Sequence, residues 1–573
     1  MKTFGRFAAV AFSAAMLAGI VPLQTAYGGD RDRIVTNPID LNYRFAKDDG
    51  NAPRREAADP VAVYFKGSYY LFASKSGGYW RSDDMVKWHY IPCTTIATIE
   101  DYAPAVLAYG GALYYMSGGG KPRFYKNATP ERDTWTEIKS NFQYAADDPS
   151  LFLDDDGRVY LYAGCHDKKP ITGVEVDPCD GFRALGEPQT LIMHNSAKYG
   201  WEAAGAGNEL NRDGYNEGAA CLKYGGKYYL QYAAPGTQWR VYGDGVYVAD
   251  SPLGPFAYAE DSPFTFKPGG FIGGTGHGHT FQDRYGNYWH VGTMTVSVRH
   301  MFERRLGLFP VVVSPRHGMY ALTAFADYPF VIPDRKVDFA ADDITAGWHL
   351  LSRGKAARAS SSADAEHAPA CAADERVETW WAAATGKKGE WLAIDLGRTM
   401  DVEAVQVNFA DHAATVYAPQ EPFVYKYTVE GSADGQDWTV LVDRTDNADD
   451  AVHRLHVLPQ KTKVRYLRVK NAADLPCLFS LYDLRAFGTA KGKAPGKVTG
   501  FKAERDAADK RIYRFEWDAQ PSATGYLLHW GTQEDCLTHT TVVYTNAYEA
   551  RYFNRDSRYY FAIQAFNESG VGR

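Results

Sequence analysis

The chain has 573 residues, too long for a single hydrophobic core, so two to four domains are expected. Aromatic residues make up 14 % of it, with 40 Tyr, 13 Trp and 54 Gly, a mixture that favours many short strands and tight turns over long helices. A net charge of −7 leaves no basic excess, which excludes nucleic acid as an expected partner.

At the N-terminus, Lys2 and Arg6 flank the start of an apolar, Ala-rich stretch from Phe7 to Val21, followed by Ala26-Tyr27-Gly28 as a small-residue cleavage site. Residues 1–28 therefore read as a signal peptide, and the mature protein is expected to be secreted, periplasmic or extracellular. The apolar stretch is short for a membrane span, so an integral membrane protein is not expected. The seven Cys (93, 165, 179, 221, 371, 477 and 536) show neither CxxC pairs nor His-rich metal spacing. Cys165 and Cys179 either bridge in an oxidising compartment or remain unpaired thiols.

From residue 59 one pattern returns five times: two special residues, an apolar strand, a turn containing glycine, and an aromatic strand. The copies begin at Asp59-Pro60, Ala103-Pro104, Asp148-Pro149, Glu217-Gly218 and His277-Gly278, spaced by 44, 45, 69 and 60 residues. Such periods suit four-stranded propeller blades with loops inserted in the later copies. Five copies predict a five-bladed β-propeller over residues 34–335, with the first strand of each blade lining a common axis. Asp59, Asp148, Glu217 and His277 would then converge on one pocket, an arrangement of mutually repelling anions that calls for a function.

Ala58-Asp59-Pro60, Asp147-Asp148-Pro149 and Asn216-Glu217-Gly218, with Trp80 to Trp88 in the first blade, resemble the signatures of glycoside hydrolase family 43. The resemblance implies an inverting glycosidase with Asp59 as general base, Glu217 as general acid and Asp148 as the group that tunes and orients the acid. Glu217 must then hold a proton at working pH, and a neighbouring anion such as Asp148 would help it do so. It also implies that His277 or His279 sits near the axis. Catalysis by carboxylates needs no cofactor. In the long interval before Glu217, Trp201 is a candidate for stacking on sugar, as is Trp239 in the next loop. Arg299 is a candidate for a substrate hydroxyl.

After residue 333 the blade pattern stops. Trp380-Trp381, Glu390 to Gly397, Tyr427 to Trp438 and Val464 to Val469 resemble a discoidin-type β-sandwich, as in coagulation factor C domains and carbohydrate-binding module family 32, over residues 338–489. That likeness implies a structural Ca2+ held near Asp374 and Asp483. A Pro/Gly/Lys linker at 491–496 leads to residues 496–573, which resemble a fibronectin type III domain through Trp517, Tyr526 and Tyr559 to Ile563. The expected fold class is all-β. The expected function is removal of glycosyl groups from polysaccharide or oligosaccharide, with arabinofuranosyl, galactofuranosyl or xylosyl units as the candidates. The alternative is a non-catalytic carbohydrate-binding propeller protein.

Overall fold

The computed structural model describes residues 31–419 and 423–572, so the segment read as a signal peptide lies outside the described residues. The fold is all-β: the longest helical segment among the described residues is a five-residue turn, Pro369–Ala373. No helix among the described residues is long and apolar enough to cross a membrane.

Residues 61–321 form five successive antiparallel sheets. Four have four strands in simple meander order, and the third carries a fifth strand, Gln189–Ile192, paired to Ile171–Asp177. The hairpins follow from turn chemistry. Phe65 pairs with Ser68 across Lys66-Gly67, both residues of the turn having positive φ (47° and 92°), which is the twist-matched two-residue turn. Gly110-Gly111 and Gly225-Gly226 do the same for the second and fourth sheets. The third and fifth sheets use longer loops opened by Asp154 and Asp283, whose backbone N–H groups bond Arg158 and Asn287 carbonyls.

The first strands of the sheets, Val61–Phe65, Ala105–Tyr109, Ser150–Leu153, Glu217–Tyr224 and Gly273–Gln282, touch in sequence, and the fifth touches the first. The sheets thus surround one axis. Aromatic faces pack between neighbouring sheets: Phe72 stacks on Tyr79 at 4.7 Å, and both meet Trp135 of the next sheet edge-on. Ile34–Val35 pairs with Phe330–Val331, tying the two ends of the five-sheet unit together.

Beyond it lies an eight-stranded sheet system from His349–Leu350 to Ser480–Thr489. A last pair of sheets spans Lys502–Arg505 to Gly570–Val571 around Phe515, Trp517, Leu528 and Trp530. The fully buried Arg55 fastens the first unit to the second: its guanidinium donates to Asp411 and Asp450, each at 2.8 Å, and lies over the Phe45 ring. Arg485 does likewise from the other side, paired with Glu375 at 2.6 Å and bonded to the carbonyl of Asp327.

Removing one partner of a buried ion pair strands the other charge at a cost of roughly 3–5 kcal/mol. Arg55→Ala is therefore expected to lower the unfolding free energy by about that much in denaturant titration, more than Arg55→Met accompanied by Asp411→Asn and Asp450→Asn.

Candidate active site

The site is built by one backbone device repeated at the start of each sheet. Ala58, Tyr102 and Asp147 accept a hydrogen bond at 2.8 Å from Ser74, Gly118 and Gly164, just beyond the second strand of their sheets. The next residue is then left-handed: Asp59 (φ 51°), Ala103 (51°), Asp148 (46°), Gly218 (63°) and His277 (44°). For a residue other than glycine this costs about 1–2 kcal/mol, and each of these residues kinks the strand start. The equivalence corrects the sequence reading by one residue. Glu217, paired with Ala233, corresponds to Ala58 and not to Asp59; the residue matching Asp59 is Gly218. Glycine is required there twice over, since a Cβ on Gly218 would lie 2.7 Å from the His277 ring.

Asp59, Asp148 and His277 meet directly: His277 Nδ1 is 3.4 Å from Asp59 Oδ1 and 3.5 Å from Asp148 Oδ2. Asp59 also takes the Ser74 hydroxyl at 2.6 Å and the Arg304 guanidinium at 3.2 Å. Burial pushes Asp59 upward, but Arg304, His277 and Ser74 outweigh it and hold the carboxyl below its ordinary value. Glu217 receives the Tyr242 hydroxyl on Oε1 at 2.7 Å and the Cys165 thiol on Oε2 at 3.2 Å. Asp148 has no arginine. Burial, opposed by His277 and reinforced by Glu217 and Asp59, pushes it up to about 7. Burial alone would lower His277, but the four surrounding carboxylates, Asp59 first, raise it above its ordinary value. Asp244 accepts the His277 and Gly278 N–H groups at 2.7 and 3.1 Å and fixes the turn that carries the ring.

Three of the other expected site residues lie elsewhere. Trp201 is fully buried in the fourth sheet, donating to the Tyr258 hydroxyl at 3.0 Å beside Tyr232, so it has no face to offer a sugar. The loop bearing it is wedged against the C-terminal sheets, with Gly200 N–H bonding the Phe553 carbonyl at 3.1 Å. Arg299 is committed to Glu303, the Tyr482 hydroxyl and the Ala410 carbonyl, a seam with the second unit. The arginine at the site is Arg304, five residues on. His279 is half-buried, faces the Ala62 backbone and is lowered by desolvation to about 4, whereas His277 meets Asp59 and Asp148, so the axial imidazole is His277. Trp239 is half-buried against the core of the fourth sheet, on the loop whose Thr237 holds Arg304 at 3.1 Å. Cys165 and Cys179 are unbridged, the first turned to Glu217 and the second beside the Tyr109 hydroxyl.

Arg304, Ser74, Tyr242 and Asp244 carry no motif in the sequence, and Cys165 reads there only as a candidate disulfide partner. Their signal was positional: each lies near the axial end of a second or third strand, a place the repeat defines. The exposed Tyr215, two residues before Glu217, stands at the same end.

In the second unit, Asp374 receives the Thr379 hydroxyl at 2.7 Å and the Arg376 N–H at 3.0 Å, while the buried Asp483 receives the Glu375 N–H at 2.9 Å. Burial, then Glu375, with Asp374 adding, pushes Asp483 well above its ordinary value despite Arg485.

Residues 54–313 match the family model of glycosyl hydrolases family 43, and residues 356–476 match the F5/8 type C domain. A β-D-galactofuranosidase of Aspergillus niger is 27 % identical over 259 residues, 39 % of this chain and 68 % of that protein. An arabinoxylan arabinofuranohydrolase of Paenibacillus polymyxa is 30 % identical over 151 residues, 25 % of this chain but only 22 % of that protein. A solved structure described as a glycoside hydrolase is 19 % identical, covers 75 % of this chain and 97 % of its own, and has a TM-score of 0.45.

A carboxyl raised from about 4 to about 7 on folding binds more protons folded than unfolded, so its contribution to stability is best below pH 4 and is lost as pH rises through 7. Asp148→Asn removes that loss. Thermal unfolding should show the variant gaining on the parent between pH 4.5 and 8, by roughly 1–3 kcal/mol; an unchanged difference across that window contradicts the raised carboxyl.

Proposed function

We propose that this protein, a glycosidase with a family 43 domain, removes furanosyl groups from a polysaccharide with inversion, Asp59 acting as base and Glu217 as acid. The carrying observation is electrostatic. The carboxyls at the axis are pushed apart: Arg304, His277 and Ser74 hold Asp59 below its ordinary value, while Asp148, which has no arginine and lies beside Glu217, is pushed up to about 7. Two carboxyl environments separated in this way supply the base and the acid of one hydrolysis.

In this reading the five sheets are the blades of a propeller, and Asp59 and Glu217 stand on its first and fourth blades. The inverting reaction needs roughly 6.5–9.5 Å between the two carboxyls, room for one water. That water gives a proton to Asp59 as its oxygen attacks the anomeric carbon. The glycosidic bond breaks on the opposite face, and Glu217 donates its proton to the departing oxygen. Asp148 tunes and orients the acid. Furanosides are preferred because a galactofuranosidase and an arabinofuranohydrolase are among the similar proteins. Tyr215 and Trp239 are the aromatic candidates for stacking on sugar.

We extend the proposal to export of the mature chain, to a fibronectin type III-like fold for residues 496–573, and to a structural calcium on Asp374 and Asp483. The support for the last is the buried Asp483 with Asp374 acting on it, two hard-oxygen donors, while Glu375 is taken up by Arg485.

Glu217→Gln should reduce reducing-sugar release from unactivated arabinofuranosides or galactofuranosides by roughly 10²–10⁴-fold, and by much less with a nitrophenyl leaving group that needs no acid. Asp59→Asn should abolish both. NMR of the first-formed product should show the inverted anomer; the retained anomer, or a fully active Glu217→Gln, would sink the assignment. A chelator should lower the thermal midpoint of the parent and leave Asp374→Asn unmoved.

A further inference from the structure

The two donors that hold Glu217 are unequal. Tyr242 is a buried phenol whose proton is secured by burial and by the surrounding anions, and its bond to Oε1 is short at 2.7 Å. Cys165 reaches Oε2 at 3.2 Å, and thiols are weak donors. Its sulfur also lies within 4.8 Å of both the Asp148 and Glu217 carboxylate oxygens, so it touches both members of that pair. The residue lies just beyond Val159–Ala163 and is half-buried. Burial and both carboxylates keep the thiol protonated, so it acts as a donor and not as a nucleophile.

An acid must free one oxygen to carry its proton and aim it at the leaving group. With strong donors on both oxygens Glu217 would be locked in its ionised form. With none on Oε2 it would lose its orientation. A weak donor meets both needs.

We propose that Cys165 is a positioning residue that sets the alkaline limit of turnover by lending the Glu217–Asp148 pair a hydrogen bond weak enough to be broken in each cycle. The inference rests on Glu217 being the acid. The titratable groups facing Glu217 are Tyr242, Cys165, Tyr215, Asp148, Asp244 and His277. Of these only Cys165 can be changed to a stronger or absent donor of nearly the same size without altering net charge or losing a buried phenol.

The test is the pH profile of kcat/KM for the full chain on an unactivated furanoside, for the parent, Cys165→Ser and Cys165→Ala. A hydroxyl stabilises the ionised carboxylate more than a thiol does, so Cys165→Ser should move the alkaline limb down by roughly half a pH unit, and Cys165→Ala should move it up by a similar amount. The acidic limb, which reports Asp59, should stay in place, and KM should change less than twofold. Opposite shifts are something a merely structural role would not produce. Limbs that stay together, or move in the same direction, overturn the proposal. If Cys165→Ala fails to fold, the direction of the Cys165→Ser shift decides alone. A flat result with Glu217→Gln inactive refutes the inference and leaves the acid assignment standing; an active Glu217→Gln refutes the reading beneath it.

Discussion

The structure is organised around a crowd of negative charge at one buried point. Asp59, Asp148, Glu217 and Asp244 are all largely shielded from water, and all act on His277. Such a cluster is tolerable only if cations are brought in or protons are kept. Arg304 and His277, whose affinity for a proton the surrounding carboxylates raise, provide the first means, and the raised Asp148 shows the second. The position of the single arginine decides which carboxylate does what. Arg304 touches Asp59 and Glu56 and leaves Asp148 without a guanidinium partner, so the group next to it is ionised while the group across the ring retains a proton.

That arrangement depends on the strand starts. Five residues with positive φ turn the chain at the axis, and four of them, Asp59, Ala103, Asp148 and His277, are not glycine, so the left-handed backbone is strained at each. The aromatic packing between sheets and the Ile34–Val35 closure hold the ring rigid enough to keep this strain. The second unit contributes through buried arginines at the seam, Arg55 and Arg485. The Arg299 link places Tyr482 and Ala410 behind the loop that ends at Arg304.

Much of this was legible in the residues. Turn pairs such as Lys66-Gly67 and Gly225-Gly226, with aromatic runs after them, mark five hairpins, and Asp-Pro at the start of two strands marks the axis. Residue type alone does not mark which positions are equivalent. Residue type puts Glu217 level with Asp59, since both are acids, whereas strand pairing and backbone conformation put Gly218 there. The tryptophans misled for a related reason: a Trp in a polar, Gly-rich loop reads the same whether it faces sugar or fills a core, and Trp201 fills a core. Arg299 and Arg304 were equally visible, but which of them reaches the axis depends on where Arg304–Ser314 begins, a boundary that composition does not set.

The one-residue offset has a mechanistic sense. A side chain on the left-handed residue sits against His277, as Asp59 and Asp148 do; a side chain on the preceding residue does not. Glu217 occupies that preceding place and has a longer side chain, so its carboxyl meets Tyr242 and Cys165 and not the imidazole. The group assigned to give up a proton is thereby kept out of direct contact with the cation that would hold it ionised. The group assigned to stay ionised is pressed against both cations. Had the glutamate stood at position 218, the ring of His277 would lie in its path, and the difference between acid and base would be lost along with the space for either.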